Sequence, residues 1–137
     1  MSDRDTDSLA WQLPPSQYLA SRPAKYSMAA QLRSCYVSMR DGCRLAVDVY
    51  VPQQPENQTL QPTFPTIVIF TPYYRRFATD GSACEPTPNC ARYRDMFVPR
   101  GYALVTVDVR GTGASFGVRD ALRSPKERDD TAEIADW

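Results

Sequence analysis

The stretch Pro65–Tyr74, PTIVIFTPYY, limits the architecture of this chain more than any other. Ile67, Val68, Ile69 and Phe70 make an unbroken apolar run of β-branched and aromatic residues between Pro65 and Pro72. Such a run suits a strand buried on both faces, as in a parallel sheet covered by helices. A buried helix is disfavoured, because Pro72 stops it after barely two turns. Open α/β sheets place ligands beyond the carboxyl ends of their strands, so Thr71-Pro72-Tyr73-Tyr74 is where chemistry is expected to assemble.

The neighbouring segments fit such a sheet. Cys35, Val37 and Met39 alternate with Ser34, Tyr36 and Ser38, and Cys43, Leu45, Val47, Val49 and Val51 alternate with Arg44, Ala46, Asp48 and Tyr50. Two half-buried strands joined by a hairpin follow from that alternation. A three-residue loop, Arg40-Asp41-Gly42, with Gly42 at the position that needs positive φ, pairs Met39 with Cys43, Val37 with Leu45 and Cys35 with Val47. All the apolar side chains then share one face, whereas a two-residue Asp-Gly loop would split it. In this register Cys35 and Cys43 lie about 14 Å apart, beyond disulfide reach. After the 66–71 strand comes a long loop, Tyr73–Asn89, whose two tyrosines and paired Arg75-Arg76 are candidates to line a pocket, a solvated surface loop being the plainer reading. A helix is expected from about Cys90 to Val98, ended by Pro99 and Gly101, and then a strand over Tyr102–Val109. Strand, helix and strand in that order read as a right-handed crossover between parallel strands. A last helix opens at Ser124-Pro125-Lys126-Glu127, a capping box with proline at the first helical position. It runs to Trp137 without a terminating glycine.

Composition removes several classes of function. Sixteen basic residues balance sixteen acidic ones in 137, so no global field favours nucleic acid or an anionic membrane. No apolar run approaches a membrane span, and Met1–Ala10 is too polar for a signal peptide, which makes the cytoplasm the default location. The twelve prolines gather in residues 14–23, 52–65 and 86–99, read as loops and connections. Asn57-Gln58-Thr59 in the second of these matches a glycosylation sequon without a secretion signal to support it. Cys35, Cys43, Cys84 and Cys90 contain no C-x-x-C pair, so zinc is disfavoured; Cys84 and Cys90 could bridge in an oxidising compartment, but free thiols are the expected state. No cofactor is expected. Residues 1–32 read as an N-terminal extension, partly disordered, with an extended arm over a larger body and a mobile tail as equal alternatives. Histidine is absent altogether. Serine and cysteine hydrolases need an imidazole base in most mechanisms, and these residues supply none.

Gly111-Thr112-Gly113-Ala114-Ser115-Phe116-Gly117 invites two readings. As a dinucleotide fingerprint its spacing is G-x-G-x-x-x-G, no helix starts on it and no second strand presents a ribose-binding acid. As a nucleophile elbow it contains a literal G-x-S-x-G around Ser115, but the helix signal waits until Ser124 and no histidine can activate the hydroxyl. The stronger reading is a tight glycine turn after a strand, with Asp108 and Arg110 fixing the loop by hydrogen bonds.

Taken together, Met39–Tyr50 (MRDGCRLAVDVY), Thr71-Pro72-Tyr73, Phe97–Tyr102 (FVPRGY), Val107–Ser115 (VDVRGTGAS) and the acidic helix ending Asp136-Trp137 resemble the opening of an α/β-hydrolase of the Xaa-Pro dipeptidyl-peptidase and cocaine-esterase-like (CocE/NonD) family. The resemblance spans residues 33–137, about three quarters of the chain. It implies the N-terminal part of an α/β-hydrolase sheet, an antiparallel hairpin followed by parallel strands with a crossover helix, incomplete and ending before the nucleophile elbow. It also implies a serine hydrolase that cleaves small ester or peptide substrates through an acyl-enzyme, in which Tyr73 helps to hold the oxyanion. The serine, aspartate and histidine of such an enzyme would lie beyond Trp137, so the 137-residue chain alone is expected to be inactive. In the family's strand order the outer edge of the 66–71 strand is left unpaired, a template for self-association. The alternative is a non-catalytic remnant that binds a ligand or a partner chain through the 73–89 loop.

Overall fold

The computed structural model describes residues 12–27, 30–53, 63–77, 80 and 85–137. The elements in chain order are α1 (Pro15–Ala20), β1 (Ala30–Ser38), β2 (Arg44–Pro52), β3 (Thr66–Thr71), the two-residue strands β4 (Arg76–Phe77) and β5 (Glu85–Pro86), α2 (Pro88–Phe97) with a 3-10 turn over Val98–Arg100, β6 (Ala103–Asp108) and α3 (Pro125–Asp136). Trp11, the 54–62 connection with its sequon, and Cys84 lie outside the described residues. None of the described helices is long and apolar enough to cross a membrane.

Four strands form one sheet in the order β1-β2-β6-β3. The hairpin register follows the alternation: Val37 faces Leu45 and Cys35 faces Val47. The Met39 N–H donates to the Cys43 carbonyl at 2.8 Å across the loop, and Gly42 takes φ 76°. Strand β6 pairs antiparallel with β2 and parallel with β3, Thr71 standing beside Asp108. The crossover helix α2 begins two residues before the expected Cys90, because Pro88 can occupy the first helical turn where its missing N–H is not needed. The 3-10 turn that follows it ends where Gly101 turns left-handed at φ 90°.

The two faces of the sheet carry separate cores. Val37, Met39, Leu45, Val47, Val105 and Val107 pack on one side against Ile134 of α3. Tyr50, Leu104 and Val98 pack on the other, with Ile67 and Ile69 against them. This division follows from the two-residue period of β6, whose odd and even residues meet different helices. Every residue of β6 is buried. The expectation that the 66–71 strand is buried on both faces is corrected here: Thr66 and Val68 are exposed, and Ile67, Ile69 and Phe70 are only partly covered. Among the described residues β3 has one strand neighbour and lies at the sheet edge, so composition alone did not bury it.

Residues 22–26 of the N-terminal segment lie against the turn that follows α2. The Lys25 and Tyr26 N–H groups both donate to the Pro99 carbonyl, and the Arg100 guanidinium donates to the Arg22 carbonyl. Tyr26 lies edge-on to Phe64.

Candidate active site

At the carboxyl end of β3 the chain makes a short, firmly anchored bend. The Thr71 hydroxyl accepts from the Tyr73 N–H at 3.0 Å, a local turn that competes with further strand. Pro72 fixes its own φ and presents no donor to continue a ladder. Tyr74 then takes φ 66°, a left-handed conformation that costs a non-glycine residue about 1–2 kcal/mol. The Tyr73 side chain emerges from this bend 77% exposed.

The next residue goes inward. Arg75 is 7% exposed, and its N–H and Nη1 donate to the two oxygens of Asp108, each at 2.7 Å. Its Nε lies 3.2 Å from Asp48 Oδ2, an ion pair without hydrogen-bond alignment. Burial works against the Arg75 charge, but Asp48 and Asp108 outweigh it and its pKa stands above the ordinary value. Asp48 also pairs with Arg76 at 3.2 Å and accepts from the Ser34 hydroxyl at 2.7 Å. The Arg75 carbonyl accepts from the Thr87 N–H, tying the bend to the start of α2. Arg75 is therefore no pocket-lining residue. Two buried carboxylates require a cation between them, and Arg75 reaches both. The signal lay in the strands: Asp48 and Asp108 are acids at positions that the sheet buries completely. The Tyr50 phenol, under the same helix, is pushed up to about 12, first by burial and then by the Asp48 charge.

Asp108 also faces the glycine turn, where its Oδ2 accepts from the Ala114 N–H at 3.0 Å. Gly113 has φ 54°, and a Cβ there would collide with the Asp108 carboxylate. Ser115 Oγ donates to the Asp108 carbonyl at 2.6 Å and accepts from the Ala46 N–H at 2.8 Å. Its donor and an acceptor site are engaged in holding the loop to β6 and β2, which rules against a nucleophilic role. Arg110 does not fix this loop as expected; its guanidinium turns to α3 and the hairpin. It bonds Asp130 at 2.8 and 2.6 Å and Asp41 at 2.7 and 3.3 Å. Arg40 adds Glu133 at 2.7 Å, Asp129 at 3.1 Å and Asp130 at 3.3 Å. The Ser124 hydroxyl caps α3 by accepting from the Glu127 N–H. Arg110 and α3 are thereby held to the hairpin loop.

Between these parts lies a cleft of about 510 Å³ whose walls include Phe70, Pro72, Tyr73, Val109, Arg119 and Leu122. Of the residues singled out from sequence, Tyr73 and Arg110 border it, while Arg75, Arg76 and Ser115 do not. A phenol at the rim of a cleft, on a bend fixed by buried ion pairs, can donate a hydrogen bond to an anion that develops beside it.

The Arg40–Arg110 clamp is expected to be acid-sensitive. The Arg110 hydrogen bond, and then the Cys43 N–H, hold Asp41 down at about 2 from an ordinary 3.8. The Arg40 hydrogen bond holds Glu133 below its ordinary 4.5. Both groups have depressed pKa values in the fold, so each contributes stability that is present above its ordinary value and lost as protons return. The urea midpoint should be level above pH 4.5 and fall between pH 4.5 and 2. Arg40→Met should flatten the upper part of that fall; an unchanged profile would show that the clamp is not its cause.

The family model for the X-Pro dipeptidyl-peptidase (S15 family) matches residues 41–137. Proteins of Mycobacterium bovis and Mycobacterium tuberculosis, each named a putative serine esterase, are 40% identical over the whole of this chain and 22% of their own length. The chain thus spans about a fifth of the curated relatives it matches. A CocE/NonD family hydrolase of Staphylococcus aureus superposes with a TM-score of 0.59 at 24% identity, over 77% of this chain and 20% of that one. An α-amino acid ester hydrolase superposes at 0.52 and 23%, over 91% and 22%. An aminopeptidase from a Thaumarchaeota archaeon does so at 0.54 and 23%, over 84% and 20%.

Proposed function

The chain belongs to the X-Pro dipeptidyl-peptidase (S15) family, its sheet being part of an α/β-hydrolase fold, and from that premise we propose that Tyr73 is the oxyanion donor of a serine hydrolase that cleaves ester or amide bonds. The observation that carries the reading is the position of Tyr73: directly after the carboxyl end of β3, exposed, and on the wall of the cleft. When a serine hydroxyl attacks a substrate carbonyl, its proton passes to a base and the carbonyl oxygen gains negative charge. The Tyr73 O–H, aimed at that oxygen, stabilises the charged state more than the neutral carbonyl, and the barrier falls. Collapse of the tetrahedral species expels the alcohol or amine, which takes up the proton, and water then releases the acyl group.

The 137 residues contain no histidine, and Ser115 is committed to loop hydrogen bonds. Nucleophile and base are accordingly assigned to the parts of the relatives that this chain does not span. The test uses a complete family member carrying the Thr71–Arg76 stretch, TPYYRR. There Tyr73→Phe should lower kcat tens- to hundreds-fold with a modest change in KM. The 137-residue chain itself should take up no fluorophosphonate. Undiminished turnover in Y73F removes the assignment, and labelling of the short chain at Ser115 removes the division of labour.

A further inference from the structure

Tyr73 and Arg75 flank the one strained residue of the bend, Tyr74 at φ 66°. A left-handed non-glycine residue persists only where its surroundings over-determine it. On the Tyr73 side the restraint is the N–H bond to Thr71 Oγ1. On the other side it is all Arg75: the backbone N–H and Nη1 on Asp108, Nε against Asp48, and the carbonyl accepting from Thr87. Asp108 in turn is held by the Ala114 N–H, and Asp48 by Ser34 and Arg76. The Tyr74 side chain is 54% exposed, so its own packing does not fix the bend.

We propose that Arg75 is a positioning residue for catalysis. Its buried bridge between Asp48 and Asp108 holds the left-handed turn at Tyr74 and so aims the Tyr73 phenol at the cleft. The inference rests on the oxyanion reading of Tyr73 and deepens it. A phenol on a flexible bend would sample many directions, and a displacement of an ångström at a donor is enough to forfeit a large share of its effect. The expected signature is therefore confined to the chemical step: kcat falls, KM barely moves, and the loss disappears once the phenol is gone.

The experiment is a double-mutant cycle in a complete family member carrying the TPYYRR stretch, with Arg75→Lys and Tyr74→Val each made alone and with Tyr73→Phe. Lysine keeps the charge but cannot span both carboxylates in a fork. A β-branched valine is disfavoured at φ 66° still more than tyrosine, so Tyr74→Val works against the left-handed turn without leaving a buried charge unpaired and decides the matter should Arg75→Lys fail to fold. Each is expected to lower kcat by about tenfold with KM within about twofold, and to cost nothing further in the Y73F background. Equal fold-losses in both backgrounds, or a loss expressed in KM alone, overturn the positioning role. Full activity of Y73F on its own defeats the oxyanion reading, and the positioning role with it; a normal Y73F deficit with full activity in Y74V defeats only the positioning role.

Discussion

Asp108→Ala is expected to lower the stability of the fold by about 3–5 kcal/mol, because it leaves a buried cation without its counter-charge. The carboxylate is 1% exposed and accepts the Arg75 N–H, the Arg75 guanidinium and the Ala114 N–H. Removing it exposes the bend after β3 and the glycine turn after β6 to the same loss. Domains of this size are stable by only about 5–15 kcal/mol, so the variant should populate unfolded chains measurably. Urea unfolding provides the check: the midpoint should fall at unchanged slope. Asp108→Asn keeps the shape and an acceptor for the Arg75 N–H, and should lose less. A midpoint equal to that of the parent chain would show that Asp48 alone compensates Arg75.

Arg110→Met is expected to cost about as much, 3–5 kcal/mol in order of magnitude, by stranding Asp130. Arg110 is 4% exposed and Asp130 2%, and the pair is joined by two hydrogen bonds of 2.8 and 2.6 Å. These bonds, with the second pair to Asp41, raise the Arg110 pKa above its ordinary value, so the guanidinium stays charged throughout the accessible pH range. The loss should be felt first at α3, which beyond this clamp is fixed to the sheet by Ile134. Amide exchange should therefore accelerate over Pro125–Asp136 while β6 retains its protection. If Arg40, 3.3 Å from Asp130, compensates it unaided, the loss will stay below about 1 kcal/mol.

What could be read from the sequence was whatever short-range patterning controls. Alternation and the glycine of the 40–42 loop determine the hairpin register, since a shift by one residue would turn every apolar side chain to the wrong face. Ser124, Pro125 and Glu127 announce a helix start through groups within a single turn. The parallel pairing of β3 with β6 followed from a helix lying between two apolar runs. Burial of β3 was misjudged because burial belongs to the neighbours of a strand, and the run 67–70 says nothing of how many it has. Arg75 and Arg110 were misplaced for a related reason. The partners of Arg75 lie 27 and 33 residues away and those of Arg110 20 and 69, and no local pattern links them. Acids inside otherwise apolar strands were the one available clue. Tyr73 was singled out through family likeness together with its place after a strand end, and it borders the cleft.

The clamp between the hairpin loop and α3 has a consequence for biosynthesis. Arg40 and the carboxylates it grips are separated by 89 to 93 positions. At about 5–20 residues per second, translation supplies those acids several seconds after the loop has formed. During that interval the apolar face of the hairpin has emerged from the ribosome without its covering helix. A chaperone that binds nascent chains would find its natural target there.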